Sequence, residues 1–235
     1  MRKLVTIIGM GVMLACANVA QAKTHYSLFN CDHVLTVQTN GCTVEKYFKC
    51  PMQTAYSNGL AVFTGEGIVW QGLMNSEGIP VYENDFYNRM KLRLVPELSD
   101  DISDASWRTG KAYKFNYAYG SAEDRPIMRL DTGEGKLTSE QVTIDGVQLT
   151  KGLYRTKQEY SFDDTATKIT YSAEGEYHFS KELNMFFRGV FTASYSGTDE
   201  HGEPYPIHNQ DETPVDFIYS DEADFKSQAP KYGCQ

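Results

Sequence analysis

Along most of the chain, apolar and polar residues alternate with a period of two, which is the signature of β-strands rather than helices. The clearest case is Lys111 to Tyr119. Its aromatics, Tyr113, Phe115, Tyr117 and Tyr119, all fall on one face. The segment 152–195 predicts three strands, Leu153–Phe162, Lys168–Phe179 and Leu183–Tyr195. The breaks between them, Asp163-Asp164-Thr165 and Ser180-Lys181-Glu182, are short enough for an up-and-down antiparallel meander. In the middle strand Ile169, Tyr171, Ala173, Gly175, Tyr177 and Phe179 share a face expected to be buried. Thr170, Ser172, Glu174, Glu176 and His178 share the other, expected to be solvated or ligand-facing.

Shorter strands are predicted at Leu60–Trp70, broken at Gly65 and Gly67, and at Val81-Tyr82, Met90–Val95, Pro126–Leu130 and Gln141–Ile144. Asp145-Gly146 reads as a hairpin turn leading into Val147-Gln148-Leu149. The one helical candidate is 97–108, where Ser99 is a potential cap. Residues 196–214, with Gly197, Gly202, Pro204, Pro206 and Pro214, read as a long polar loop. Strand spacings near ten residues, without a repeat or linker, point to one mainly β domain. Its expected form is a single antiparallel barrel, half-barrel or curled sheet with at most one or two short helices.

The first 22 residues stand outside this pattern. Arg2 and Lys3 precede an apolar run from Leu4 to Ala17, and Ala20-Gln21-Ala22 forms a small-x-small cleavage site. This is the layout of a secretory signal peptide. The rival, a lipoprotein signal ending at Cys16, has a poor lipobox in Met13-Leu14-Ala15. The expected organisation is therefore a signal peptide at 1–22 and one β-rich domain at 23–235. The expected location is the periplasm. No later run approaches 18 apolar residues, so no transmembrane helix is expected in the mature chain.

Cleavage leaves Cys31, Cys42, Cys50 and Cys234, an even set in an oxidising compartment. Asn40-Gly41 lies between two β-rich runs and predicts a two-residue hairpin. In that register Val37 faces Val44, Val34 faces Tyr47, and Cys31 faces Cys50. The expected bridges are thus Cys31–Cys50, stapling the open end of the hairpin, and Cys42–Cys234. A bulge would shift the register locally. No Cys-x-x-Cys or closely spaced Cys/His set points to a metal or redox centre.

Of 235 residues, 41% are hydrophobic and 13% aromatic, enough for a packed core. The net charge of −9 becomes −11 once Arg2 and Lys3 leave with the leader. An acidic chain of this kind argues against nucleic acid or anionic membrane as a partner.

Recognisable chemistry is sparse. Asp131-Thr132-Gly133 matches the aspartic-protease loop, but no second copy supplies the paired carboxylate. It is expected to be a turn. The loop Asp199-Glu200-His201-Gly202-Glu203, with His208, Asp211 and Glu212, gathers candidate metal ligands in no ordered pattern. There is no Gly-x-Ser-x-Gly, and His25, His33 and His178 show no helpful spacing to an acid or hydroxyl. No catalytic residue, metal or cofactor is assigned. The aromatic positions are the remaining candidates. Tyr113, Phe115, Tyr117, Tyr119, Tyr171 and Tyr177 either form an ordinary β core or line a site for a ligand.

Several segments resemble a group of uncharacterised exported proteins of Gram-negative bacteria. They are Cys31, Cys42-Thr43-Val44 and Cys50, then 141–149 (Gln-Val-Thr-Ile-Asp-Gly-Val-Gln-Leu), Met185-Phe186-Phe187-Arg188-Gly189 and Pro214-Val215-Asp216-Phe217-Ile218. The resemblance implies a periplasmic, single-domain β protein and carries no catalytic residues. The functional expectation is a periplasmic binding protein for a small apolar or amphipathic ligand. Its alternatives are an envelope interaction or assembly factor and, behind that, a hydrolase.

Overall fold

The computed structural model describes residues 30–51, 56–101, 110–121, 127–162, 168–197 and 203–234. The leader at 1–22, His25, most of the helix candidate and the Asp199–Gly202 part of the acidic loop lie outside the described residues.

Thirteen strands form one antiparallel sheet. They are β1 (Asp32–Thr39), β2 (Val44–Lys49), β3 (Asn58–Thr64), β4 (Gly67–Met74), β5 (Pro80–Asp85), β6 (Met90–Leu94) and β7 (Tyr113–Ser121), followed by β8 (Ile127–Ile144), β9 (Val147–Phe162), β10 (Lys168–Ser180), β11 (Met185–Tyr195), β12 (His208–Asp211) and β13 (Pro214–Ile218). Strands β1 to β12 each pair with their chain neighbours, while β13 pairs with β1. The order is therefore open, with β12 at one edge and β13 at the other, and only Glu212 and Thr213 separate the two. The sheet curls until these edges meet. The Glu212 amide donates to the Gly189 carbonyl in β11, and the Asn40 amide at the end of β1 donates to the Thr213 carbonyl. The expected curled antiparallel sheet is thus the fold. Its helical content among the described residues is one 3-10 turn, Pro96–Leu98.

The N-terminal hairpin carries the expected bridge by a different register. Cys31–Cys50 is formed, with Cα atoms 4.2 Å apart, and Cys42–Cys234 ties the hairpin turn to residue 234. The turn, however, has three residues. Cys42 takes the left-handed conformation at φ 58°, which is the three-residue hairpin geometry. Val37 therefore faces Glu45, and Leu35 faces Tyr47. An irregularity between His33 and Leu35 then restores the offset, so that Asp32 faces Lys49 and the cysteines meet.

Three further expectations are corrected. Residues 127–130 and 141–144, expected in two separate strands, are parts of one 18-residue strand, β8, and Asp131-Thr132-Gly133 sits inside it rather than in a turn. The polar segment 196–214 contains β12. His178, expected on a solvated face, is 5% exposed, because its end of β10 is covered on both faces. Asp145-Gly146 is a two-residue hairpin turn as read, with φ 48° and 77° between paired Ile144 and Val147.

The core forms where distant strands meet. Leu35, Val37 and Tyr47 from β1 and β2 pack against Leu149, Met185, Phe187 and Phe217. The other face of β1 and β2 is covered by 219–234. His33 stacks on Phe225 at 4.0 Å, the Thr36 hydroxyl donates to the Phe225 carbonyl, and Lys46 donates to the Lys226 carbonyl. Along β8–β10 one face carries Glu134, Arg155, Lys157, Glu174 and Glu176, laced by pairs such as Arg155–Glu174 at 3.1 Å. Such a face is selected by water, not by lipid chains. No helix among the described residues is long and apolar enough to cross a membrane.

Candidate functional site

The six aromatic residues singled out from the sequence do not gather into one site. Tyr113 and Tyr177 share a cluster with Leu137, Phe179, Tyr154 and Phe186. Tyr117 and Tyr119 belong to a second cluster with Leu92 and Ile127, and Tyr171 to a third with Ala173, Phe191 and Ala193. Phe115 bridges the first two, with ring centroids 6.1 Å from Tyr113 and 5.2 Å from Tyr117.

Three of these six rings lie on glycine. Phe115 pairs across strands with Gly133, Tyr113 with Gly135, and Tyr177 with Gly152. A Cβ at Gly133 would fall 2.6 Å from Phe115 Cζ, and one at Gly135 would fall 2.7 Å from the Tyr113 hydroxyl oxygen. The missing side chains let the rings cover backbone that would otherwise be bare. Tyr119 is buried beneath the Arg129 guanidinium, 4.3 Å from the ring centroid. Arg129 in turn holds Glu83 with two hydrogen bonds of 2.7 Å and Asp131 at 2.8 Å. Burial, with Glu83 nearby, raises the Asp131 carboxyl to about 6 against the pull of Arg129. The larger part of the predicted set therefore serves packing.

A pocket does form, at the seam between the two halves of the sheet. It has a volume of about 170 Å³, and Tyr177 alone of the six lines it. Its apolar walls are Leu60, Met74, Met185, Phe186 and Phe187. Glu45 and Tyr47 from β2 and Arg188 from β11 form its charged end, and Asn58, Ser76 and Asn184 also line it. Period-two alternation in β2 turns Glu45 and Tyr47 to the same face.

Glu45 is 1% exposed, and its charge is matched across the seam. Arg188 donates through Nε at 2.9 Å and Nη2 at 2.8 Å, both to Glu45 Oε1. The Tyr47 hydroxyl lies 2.6 Å from Glu45 Oε2 and 3.0 Å from the Phe186 carbonyl oxygen, two acceptors for one proton. Glu212 stands behind Arg188 at 3.9 Å and accepts hydrogen bonds from the Thr39 and Thr43 hydroxyls. Burial works against the Arg188 charge, but Glu45 and Glu212 outweigh it and hold the guanidinium protonated. Burial and the Glu45 charge push the Tyr47 phenol well above its ordinary value. Tyr177 is 8% exposed, its pKa is raised by burial, and its hydroxyl has no hydrogen-bond partner among the described residues.

A second pocket of about 380 Å³ lies on the outer face, where Leu98, Met128 and Lys168 in its wall are exposed. Like the seam pocket it opens to the surface, and it reaches in to the buried Ala118 and Arg129. His33 is held between Phe48 and Phe225, and His178 is buried. Among the described residues, no group of His, Cys, Asp and Glu is placed to hold a metal ion.

Sequence reading missed Glu45, Tyr47 and Arg188. The inward parity of Glu45 in a β-rich run was a usable signal, since a buried carboxylate needs a partner. Nothing local identifies Arg188 as that partner. The protein thus has a single-sheet antiparallel β fold, stapled by two disulfides, with a small apolar pocket closed by an ion pair. No family model matches the chain, and neither a curated protein nor a solved structure does.

Proposed function

We propose that this is an exported periplasmic protein whose seam pocket binds a small apolar or amphipathic ligand. The observation that carries this reading is the pocket itself. It is a mostly apolar space of about 170 Å³ lined also by the charged Glu45 and Arg188, the Tyr47 phenol and the polar Asn58, Ser76 and Asn184. A mostly apolar wall with a few polar groups is what an amphipathic ligand needs. The volume is below that of drug-sized sites and close to engineered dry cavities of about 150 Å³ that take benzene. A ligand of that size, or one end of a longer one, fits. The leader-like segment at 1–22 and the two disulfides support export into an oxidising compartment. The test is to equilibrate crystals with xenon or a small aromatic and to fill the space by Leu60→Trp. Density in the parent that the substitution removes supports binding, and an empty parent pocket removes the reading.

A second reading, contact with another envelope protein, rests on the β12 edge. All four residues of that strand are exposed, and beside it Ile207 is 66% and Tyr205 44% exposed. An edge strand flanked by apolar side chains suits strand addition by a partner. A photo-crosslinker at position 207 should give a discrete adduct in cells, and its absence removes this reading.

A further inference from the structure

At its charged end the seam pocket presents a free donor, and the carboxylate beside it is already occupied. Both Arg188 bonds to side chains end on Glu45 Oε1, and Tyr47 fills Oε2. Arg188 Nη1 has no acceptor among the described residues, and the side chain is 43% exposed. Tyr177 contributes its ring to the wall of the same pocket, while its hydroxyl end lies on Gly152 and is shielded from the pocket space. A neutral acceptor placed on Nη1 would exchange water for a charge-assisted hydrogen bond.

Charge narrows the ligand further. Arg188 stands between Glu45 at 2.8 Å and Glu212 at 3.9 Å, so the cluster carries one net negative charge. A ligand carboxylate would meet two like charges beside the guanidinium. A ligand ammonium would meet the open side of the guanidinium. An uncharged acceptor meets neither penalty.

We infer that the pocket selects a small uncharged amphiphile: an apolar ring or branched chain of about benzene size bearing one carbonyl, amide or hydroxyl group, which accepts from Arg188. This inference rests on the reading of the seam pocket as a ligand site.

The test is a titration of the disulfide-intact protein, residues 23–235, with toluene, benzamide, benzyl alcohol, benzoate and benzylammonium, followed by NMR. Benzamide and benzyl alcohol should bind about tenfold tighter than toluene, the worth of one hydrogen bond to a charged donor. Benzoate and benzylammonium should bind at least about tenfold weaker than benzamide, on the same conversion. In Arg188→Met the benzamide-to-toluene ratio should collapse towards one. Arg188→Lys, which keeps a cation beside Glu45 but removes the free Nη1, should lower the ratio without unfolding the chain. If toluene binds and the uncharged polar probes bind no tighter, the inference fails while the pocket reading stands. Benzoate or benzylammonium as the tightest probe also overturns it. If no probe binds, the pocket reading itself fails.

Discussion

Glu45 in β2 and Arg188 in β11 stand near opposite ends of the strand order, yet their side chains meet at 2.8 Å. No ladder hydrogen bond joins these strands, so the pair and the Tyr47 contact to Phe186 clamp the two halves of the curl. Arg188→Met should lower unfolding free energy by about 2 kcal/mol. That is below the roughly 3–5 kcal/mol typical of a broken buried pair, because the arginine is 43% exposed. Glu45→Gln in the same chain should recover part of the loss. Urea denaturation of the parent, both single variants and the double variant checks this, and strictly additive losses would refute the coupling.

Tyr177 lies on the backbone of Gly152, its cross-strand partner in β9. A methyl group there would run into the ring, so Gly152→Ala should destabilise by about 1–3 kcal/mol. Gly65, in the β3–β4 turn, has no positive φ, and a methyl group on its Cα would meet nothing within 4 Å. Gly65→Ala should change stability by less than about 0.5 kcal/mol. Thermal unfolding of the two variants side by side distinguishes a ring-covered glycine from an uncrowded one.

A buried group and a half-buried one should pull the pH dependence in opposite directions. Asp131 is raised from 3.8 to about 6 in the folded state by burial, so the fold holds its proton more tightly than the unfolded chain. Its contribution therefore increases stability as pH falls through 6 towards 3.8. His33 is lowered from 6.5 to about 4, first by burial and then by Lys46, so the unfolded chain binds that proton first. Its contribution is lost as pH falls from 6.5 to 4. Each is worth up to about 3 kcal/mol. Asp131→Asn should fall behind the parent as pH drops from 7 to 4, and His33→Gln should gain on it. Denaturant midpoints at pH 7, 5.5 and 4 give the two difference curves, and parallel curves would refute the assignment.

The two disulfides close loops of very different length, with sequence separations of 19 and 192. Chain-entropy arithmetic assigns about 3 kcal/mol to the first and about 5 kcal/mol to the second, as upper values. Cys42→Ala with Cys234→Ala should therefore destabilise more than Cys31→Ala with Cys50→Ala. Peptide mapping without reductant should show 31 linked to 50 and 42 linked to 234.

What is legible in the sequence follows the range of the interactions. Alternation sets the faces of β7 and most of β10, because inward and outward positions are decided residue by residue. Asp145-Gly146 is legible because both turn positions need positive φ and both residues tolerate it. The first hairpin hides its true register because its left-handed residue is Cys42, a type that carries no turn signal. Asp131-Thr132-Gly133 reads as a turn although its glycine answers to a ring on the neighbouring strand, Phe115, and not to a bend. The pocket is least legible of all. Glu45 and Arg188 are 143 residues apart, and only the curl of the whole sheet brings them together.

The placement of β12 and β13 also governs the order of assembly. A chain made from its N-terminus can zip β1 to β11 by adding each strand to the one before it. The seam must wait for residues 208–218, which bind β11 and then β1 in a single pass. Cys42 must wait longer still, for residue 234, while Cys31 and Cys50 already lie close by. Oxidation in order of synthesis would join Cys31 to Cys42. Reaching the native pairing therefore calls either for early folding of the hairpin or for a disulfide isomerase, and the pocket can mature only once the strands that close the seam have been made.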